Sequence, residues 1–239
     1  MNIIDVHAHI LPGVDDGSSG WEESRQMLQE AYRQGIRTII ATPHYRQGQD
    51  VEQLREFTGI LRQEAQKLDP GYGIFLGQEI MDSEDAVDNL RRGKALTMAE
   101  SSFVLIEFLP GISYGRLYQR LRQLQAAGYI PIVAHAERYS CLREEGKLKE
   151  LREAGNLIQM NYRSLTGSMF NKHTRWCRKQ ILEGNIHLLG TDMHNTGTRA
   201  PETEKALAWL KRHCPKSELH RMVKKYPECI LNKQEGIAG

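Results

Sequence analysis

Residues 114–135 read YGRLYQRLRQLQAAGYIPIVAH, and this stretch carries the logic of the whole chain. Leu117, Leu121 and Leu124 recur at steps of four and three, the spacing that puts them on one buried face of a helix over Tyr114–Ala126. Gly128 then ends the helix, because glycine takes the left-handed cap conformation at little cost. The apolar run Ile130–Ala134 follows, short and unbroken, as in a strand buried on both faces. It ends on His135. Helix, glycine, buried strand and a polar residue at the strand's carboxyl end form one unit.

Outward from this unit the same order repeats. Apolar runs stand at Ile3–Val6, Ile36–Ala41, Gly73–Leu76, Phe103–Ile106, Asn156–Met160 and Ile186–Leu189. Helix-like stretches lie between and after them at Glu22–Arg33, Val51–Leu68, Ser83–Arg91, Glu144–Ala154, Asn171–Glu183 and Pro201–Arg212. Gly35, Gly155 and Gly184 repeat the helix-stop signal. Alternation of this kind predicts an α/β fold with a parallel sheet, and this length favours closure into a distorted TIM-like (β/α)7 barrel. An open doubly wound sheet is the alternative. It lacks support, since no Gly-x-Gly-x-x-Gly or Gly-Lys-Ser/Thr loop follows any strand. No Pro/Gly/Ser-rich linker or short repeat divides the chain, so residues 1–239 are expected to form a single domain.

Composition narrows the function classes. The chain has 32 basic and 30 acidic residues, a net charge of +2, which argues against a nucleic-acid stripe or a polybasic membrane anchor. No segment approaches the roughly 20 apolar residues of a membrane helix, and the N-terminus has no leader pattern. Cys141, Cys177, Cys214 and Cys229 form no Cys-x-x-Cys pair and suit reduced thiols, so a cytoplasmic location is expected.

The chemistry stands at the strand ends. His7 and His9 end the first run, His44 follows Thr38–Pro43, and Glu79 lies just beyond Leu76. Glu107 closes the fourth run, His135 the fifth, and Asp192 and His194 follow Leu188–Thr191. In a parallel barrel these ends share one face, where active sites are built. Residues two apart on a strand point the same way, so His7 with His9, and Asp192 with His194, are each expected to grip one ion. Imidazoles and carboxylates without cysteine suit Zn²⁺, Mn²⁺ or Fe²⁺. A lone strand-end histidine is usually structural. Eight such residues with independent structural roles are much less plausible, because packed carboxylates repel one another without a cation. Asp15-Asp16-Gly17 is either a turn or a further source of a ligand. Arg46, Arg138 and Arg199 fall on the same presumed face, where guanidinium forks would suit phosphate. His173, His187, His213 and His220 lie outside this pattern.

His7-Ala8-His9, Asp15-Asp16-Gly17, Thr42-Pro43-His44, Glu79, Glu107, Ala134-His135-Ala136-Glu137-Arg138 and Thr191-Asp192-Met193-His194 resemble the PHP (polymerase and histidinol phosphatase) superfamily. Within it they resemble in particular the bacterial CpsB/YwqE-type protein-tyrosine phosphatases encoded with capsule and exopolysaccharide genes. The resemblance spans residues 1 to about 200 and says little about the tail. It implies a distorted seven-stranded barrel holding up to three metal ions, usually Mn²⁺, with iron or zinc as the alternatives. Carried over, His7, His9, Glu79 and Asp192 would hold the first ion. Glu79, Glu107 and His135 would hold the second, and Asp16, His44 and His194 the third. Arg138 matches the family's phosphate-contacting arginine, and Arg46 and Arg199 fall in segments that are basic there. The implied activity is hydrolysis of phosphotyrosine on a protein, with the tyrosine-rich tail of a cognate bacterial tyrosine kinase as partner.

The alternatives are a histidinol-phosphate phosphatase on the same scaffold, an amidohydrolase-type enzyme and a catalytically silent binding module. The amidohydrolase reading usually needs a bridging lysine, and no lysine stands at a strand end. A cysteine phosphatase is excluded, because the sixth residue after each cysteine is Lys147, Glu183, His220 or Glu235 rather than the arginine of Cys-x5-Arg.

Overall fold

A computed structural model describes residues 2–234. Helix α4, Tyr114–Ala126, buries Leu117, Leu121 and Leu124, and its N-terminus is capped by the Ser113 hydroxyl. Gly128 turns the chain with φ 91° into β6, Ile130–Val133. The periodic leucines thus bury the face that the sequence marked.

The remaining runs form β1 (Ile3–Ala8), β2 (Ile36–Ala41), β3 (Gly73–Leu76), β5 (Phe103–Glu107), β7 (Leu157–Asn161) and β8 (Leu188–Gly190). One strand the sequence reading did not anticipate, β4 (Glu79–Met81), is separated from β3 only by Gly77 and Gln78. Three residues are too few to show a periodicity. The helices between them are α1 (Trp21–Arg33), α2 (Val51–Leu68), α3 (Ala86–Arg91), α5 (Lys147–Glu153) and α6 (Lys172–Leu182), with α7 (Glu204–His213), α8 (Lys216–His220) and α9 (Tyr226–Leu231) completing the described chain.

All ladders are parallel, in a three-stranded sheet β1-β2-β3 and a five-stranded sheet β4-β5-β6-β7-β8. Single bridges link the two sheets: Ala8 with Met193, and His44 with Glu79. The fold is therefore mixed α/β with parallel sheets. β1 is buried throughout, Asp5 and His7 included, and β5 is apolar and buried up to Glu107, as expected when helices cover a sheet's outer face. Parallel strands share a direction, so their carboxyl ends and the loops after them come to one face. No helix among the described residues is long and apolar enough to cross a membrane.

Candidate metal centre

All nine sequence-selected ligands meet on that face. Glu79, the first residue of β4 and fully buried, is the hub. Its Oε2 lies 3.2 Å from Nε2 of His7, 3.2 Å from Nε2 of His9 and 3.3 Å from Nδ1 of His44. Its Oε1 lies 2.7 Å from Nε2 of His135, which is also 3.2 Å from Glu107 Oε1. Asp192 Oδ1 stands 3.6 Å from Nε2 of both His7 and His9. Asp16 pairs with His44 at 3.4 Å and approaches His194 at 3.7 Å.

Four overlapping groups offer donor atoms within 4.8 Å of one another: His7, His9 and Asp192; His7, Glu79 and His135; His44, Glu79 and Glu107; and His9, Asp16, His44 and His194. The donors are nitrogen and oxygen only, which suits a borderline or hard dication. Nε2 of His194 is buried without a hydrogen-bond partner, as a waiting ligand atom would be, while its Nδ1 contacts the Asp192 carbonyl at 3.0 Å. The donor set and this unpartnered nitrogen both fit divalent metal ions.

The electrostatics agree. Burial acts to lower the pKa of His9, yet hydrogen bonds to Asp15 and Glu79 outweigh it and lift it to about 10. Burial likewise acts to lower the pKa of His135, and hydrogen bonds to Glu107 and Glu79 outweigh it and raise it to about 9. Burial pushes the Glu79 carboxyl up, but the charge of His7 and the imidazole hydrogen bonds hold it well below the usual range. The pocket thus favours positive charge. A metal cation would take the place of these protons.

The two pairs predicted to share a strand face differ in origin. His7 and His9 flank the end of β1 and bring their Nε2 atoms to 3.2 Å. Asp192 and His194 lie beyond β8 and flank Met193, which pairs with Ala8 in a single parallel bridge. β8 ends at Gly190, and Asp192 is left-handed with φ 53°. His135 is also left-handed, φ 30°. Non-glycine residues held there cost roughly 1–3 kcal/mol each and concentrate at functional sites.

The arginines divide. Arg138 pairs with Asp192 Oδ2 and lies 4.0 Å from Glu107, and Arg199 reaches Asp192 Oδ1 at 2.7 Å. Arg46 is exposed and makes no ion pair among the described residues, but it lines the same 430 Å³ opening together with Arg138, Arg199, Tyr45 and Met81. The other histidines stay outside, as expected; His187 is buried at the start of β8 and accepts a hydrogen bond from Ile158 N–H.

Sequence reasoning missed the residues that brace the ligands. The Asp15 carboxylate accepts from His9 Nδ1 at 2.7 Å and from the His44 amide at 2.9 Å, so this half of the Asp15-Asp16 pair orients a ligand. Gly17 lets its loop close onto β1: a Cβ there would stand 2.2 Å from the His9 carbonyl oxygen. Tyr139 places its hydroxyl 3.4 Å from His135 Nδ1. Gln159 and Asn161, on β7, contact His7 and Asp192. Gln159, flanked by Leu157, Ile158 and Met160 in the run Asn156–Met160, was the available signal.

Nine imidazoles and carboxylates gathered at the ends of parallel strands and on the adjoining loops define an α/β protein with a candidate metal centre. The chain belongs to the CpsB/CapC family of capsular polysaccharide synthesis, whose profile matches residues 3–232. It is 36% identical over 238 residues to the tyrosine-protein phosphatase YwqE of Bacillus subtilis, covering 97% of this chain and 92% of that protein. With tyrosine-protein phosphatase CpsB of Streptococcus pneumoniae it shares 34% over 213 residues, 85% of this chain and 88% of the relative. A solved structure described under YwqE of Bacillus subtilis and CpsB of Streptococcus pneumoniae as metal-dependent tyrosine phosphatases superposes with TM-score 0.86 at 32% identity, covering 97% of this chain and 95% of that one. The Escherichia coli phosphotriesterase homology protein shares the fold alone, with TM-score 0.60 at 13% identity over 95% of this chain and 97% of that one.

Proposed function

We propose that this protein is a metal-dependent protein-tyrosine phosphatase acting on the tyrosine-rich tail of a cognate bacterial tyrosine kinase, in the cytoplasm, where it regulates capsule and exopolysaccharide synthesis. The observation that carries this reading is the convergence of four imidazoles on Glu79 beneath an arginine-lined opening. The relatives' names give the phosphotyrosine specificity. We read β3 and β4 as halves of one broken strand in a distorted seven-stranded barrel, a closure supported by the Ala8–Met193 and His44–Glu79 bridges.

The four overlapping donor groups would accommodate up to three Mn²⁺ ions. His7, His9, Glu79 and Asp192 would hold the first, Glu79, Glu107 and His135 the second, and Asp16, His44 and His194 the third. Such ions would supply a hydroxide nucleophile at neutral pH and neutralise charge on the phosphoryl oxygens. Arg138 and Arg199, each tethered through Asp192, present guanidinium forks to non-bridging oxygens, and Arg46 adds charge at the rim. A phenolate leaves with a pKa of about 10, so it needs less protonation than an alkoxide. The cysteines play no part as nucleophiles: burial raises Cys141, Cys214 and Cys229 and lifts Cys177 to about 12.

Hydrolysis of a phosphotyrosine peptide and of histidinol phosphate, with Mn²⁺ and with a chelator, tests this reading. Peptide turnover that the chelator abolishes and Mn²⁺ restores is expected. Chelator-resistant turnover would refute the metal mechanism, and a preference for histidinol phosphate would move the protein to the neighbouring activity.

A further inference from the structure

We propose that Gln159, backed by Asn161, is the positioning residue that dictates which ring nitrogen His7 presents to the metal centre; this rests on the metal reading above. β7 supplies none of the nine ligands, yet Gln159 and Asn161 are buried beneath them. Gln159 Oε1 lies 2.6 Å from the backbone nitrogen of His135 and 3.2 Å from Nδ1 of His7.

The chemistry of these atoms leaves one arrangement. A backbone N–H can only donate, so the amide atom facing His135 is the oxygen. That oxygen can only accept, so His7 carries its proton on Nδ1. Nε2 is then the nitrogen turned to Glu79 at 3.2 Å and Asp192 at 3.6 Å, where a cation would displace any proton and take its lone pair. The other end of the amide must donate, and Gln159 Nε2 does so to Asn161 Oδ1 at 2.9 Å. Asn161 is thereby turned to donate from Nδ2 to Asp192 Oδ2, also at 2.9 Å. The backbone N–H of Asn161 is itself anchored on Glu137 Oε1 at 3.0 Å.

One buried amide therefore orients His7, holds the left-handed backbone of His135 and, through Asn161, aligns Asp192. The neighbouring strand makes room for it. A Cβ at Gly190 would stand 2.7 Å from the Cβ of His7 and 2.9 Å from Nε2 of Gln159, so only glycine leaves space for this pair. Outer partners that fix the tautomer of a metal-binding histidine are worth 10–100-fold in metal affinity.

Two variants separate orientation from packing. Gln159→Met keeps the length and removes every side-chain hydrogen bond, whereas Gln159→Glu keeps both accepting contacts while losing the donor to Asn161 and adding a buried charge. The expected results are Nδ1–H on His7 in ¹⁵N spectra of the Zn²⁺-loaded wild type, about 10–100-fold weaker Mn²⁺ binding in Gln159→Met by calorimetry, and retention of the Nδ1–H form in Gln159→Glu. A wild-type His7 bare at Nδ1 overturns the assignment, as does a Met variant binding Mn²⁺ within twofold of wild type. Wild type that takes up neither ion removes the metal reading instead, and the His7 spectrum of the ion-free protein at pH 9 then decides the role of Gln159.

Discussion

Replacing Glu79 by glutamine is the sharpest perturbation of the proposed centre, because the change is nearly isosteric and removes one charge from the hub. In the wild type Oε2 faces three imidazole nitrogens at 3.2, 3.2 and 3.3 Å, and Oε1 faces a fourth at 2.7 Å. In glutamine one of these oxygens becomes an NH₂ group with no lone pair for a cation. A unit negative charge about 4 Å from a dication contributes about 8 kcal/mol at an effective dielectric near 20. The amide oxygen that remains, and relief of the carboxylate's own desolvation, offset much of that. If a third survives, about 3 kcal/mol is lost, close to 100-fold in Kd. Calorimetric titration of chelator-treated protein with Mn²⁺ reads this directly, with circular dichroism to verify the fold. At least one ion should bind about 100-fold more weakly, and phosphotyrosine turnover at limiting Mn²⁺ should fall at least in proportion. A variant that binds the same number of ions within threefold of wild-type affinity would refute Glu79 as the shared ligand.

Arg138→Ala removes a guanidinium fork aimed at charge developing on phosphorus, so kcat should fall about 10²–10³-fold with the bound Mn²⁺ count unchanged; an effect on KM alone would reassign it to ground-state binding. His187 gives a pH effect away from the metal centre. Burial first, then the charge of Arg152, lowers its pKa to about 4 from 6.5. The unfolded chain therefore binds more protons between those values, so stability is full above about pH 6.5 and falls by roughly 3 kcal/mol as pH drops through 4. His187→Asn keeps an acceptor for the Ile158 N–H, so urea melts at pH 7.5 and 4.5 should show roughly 2–3 kcal/mol less acid destabilisation than wild type. An unchanged difference between the two pH values would show that His187 titrates normally.

The sequence by itself determined the alternation of buried strand and amphipathic helix, and the side chains available at each strand end. Both are local facts. Leu117, Leu121 and Leu124 lie within two helical turns, and His135 follows directly on the run that buries itself. That parallel strands share a direction then sufficed to bring the eight strand-end candidates to one face, whereas Asp16, on a loop, joined the set only through the family resemblance. Only the tertiary structure decided how those ligands are aimed. β4 is too short to show a period, and the left-handed backbone of Asp192 depends on contacts that the strand pattern does not encode. The bracing of His7 by Gln159 joins residues 152 positions apart, and a polar residue within an apolar run does not name its partner. Burial follows from periodicity along the chain. The choice of tautomer follows from which donor and acceptor the completed fold sets face to face.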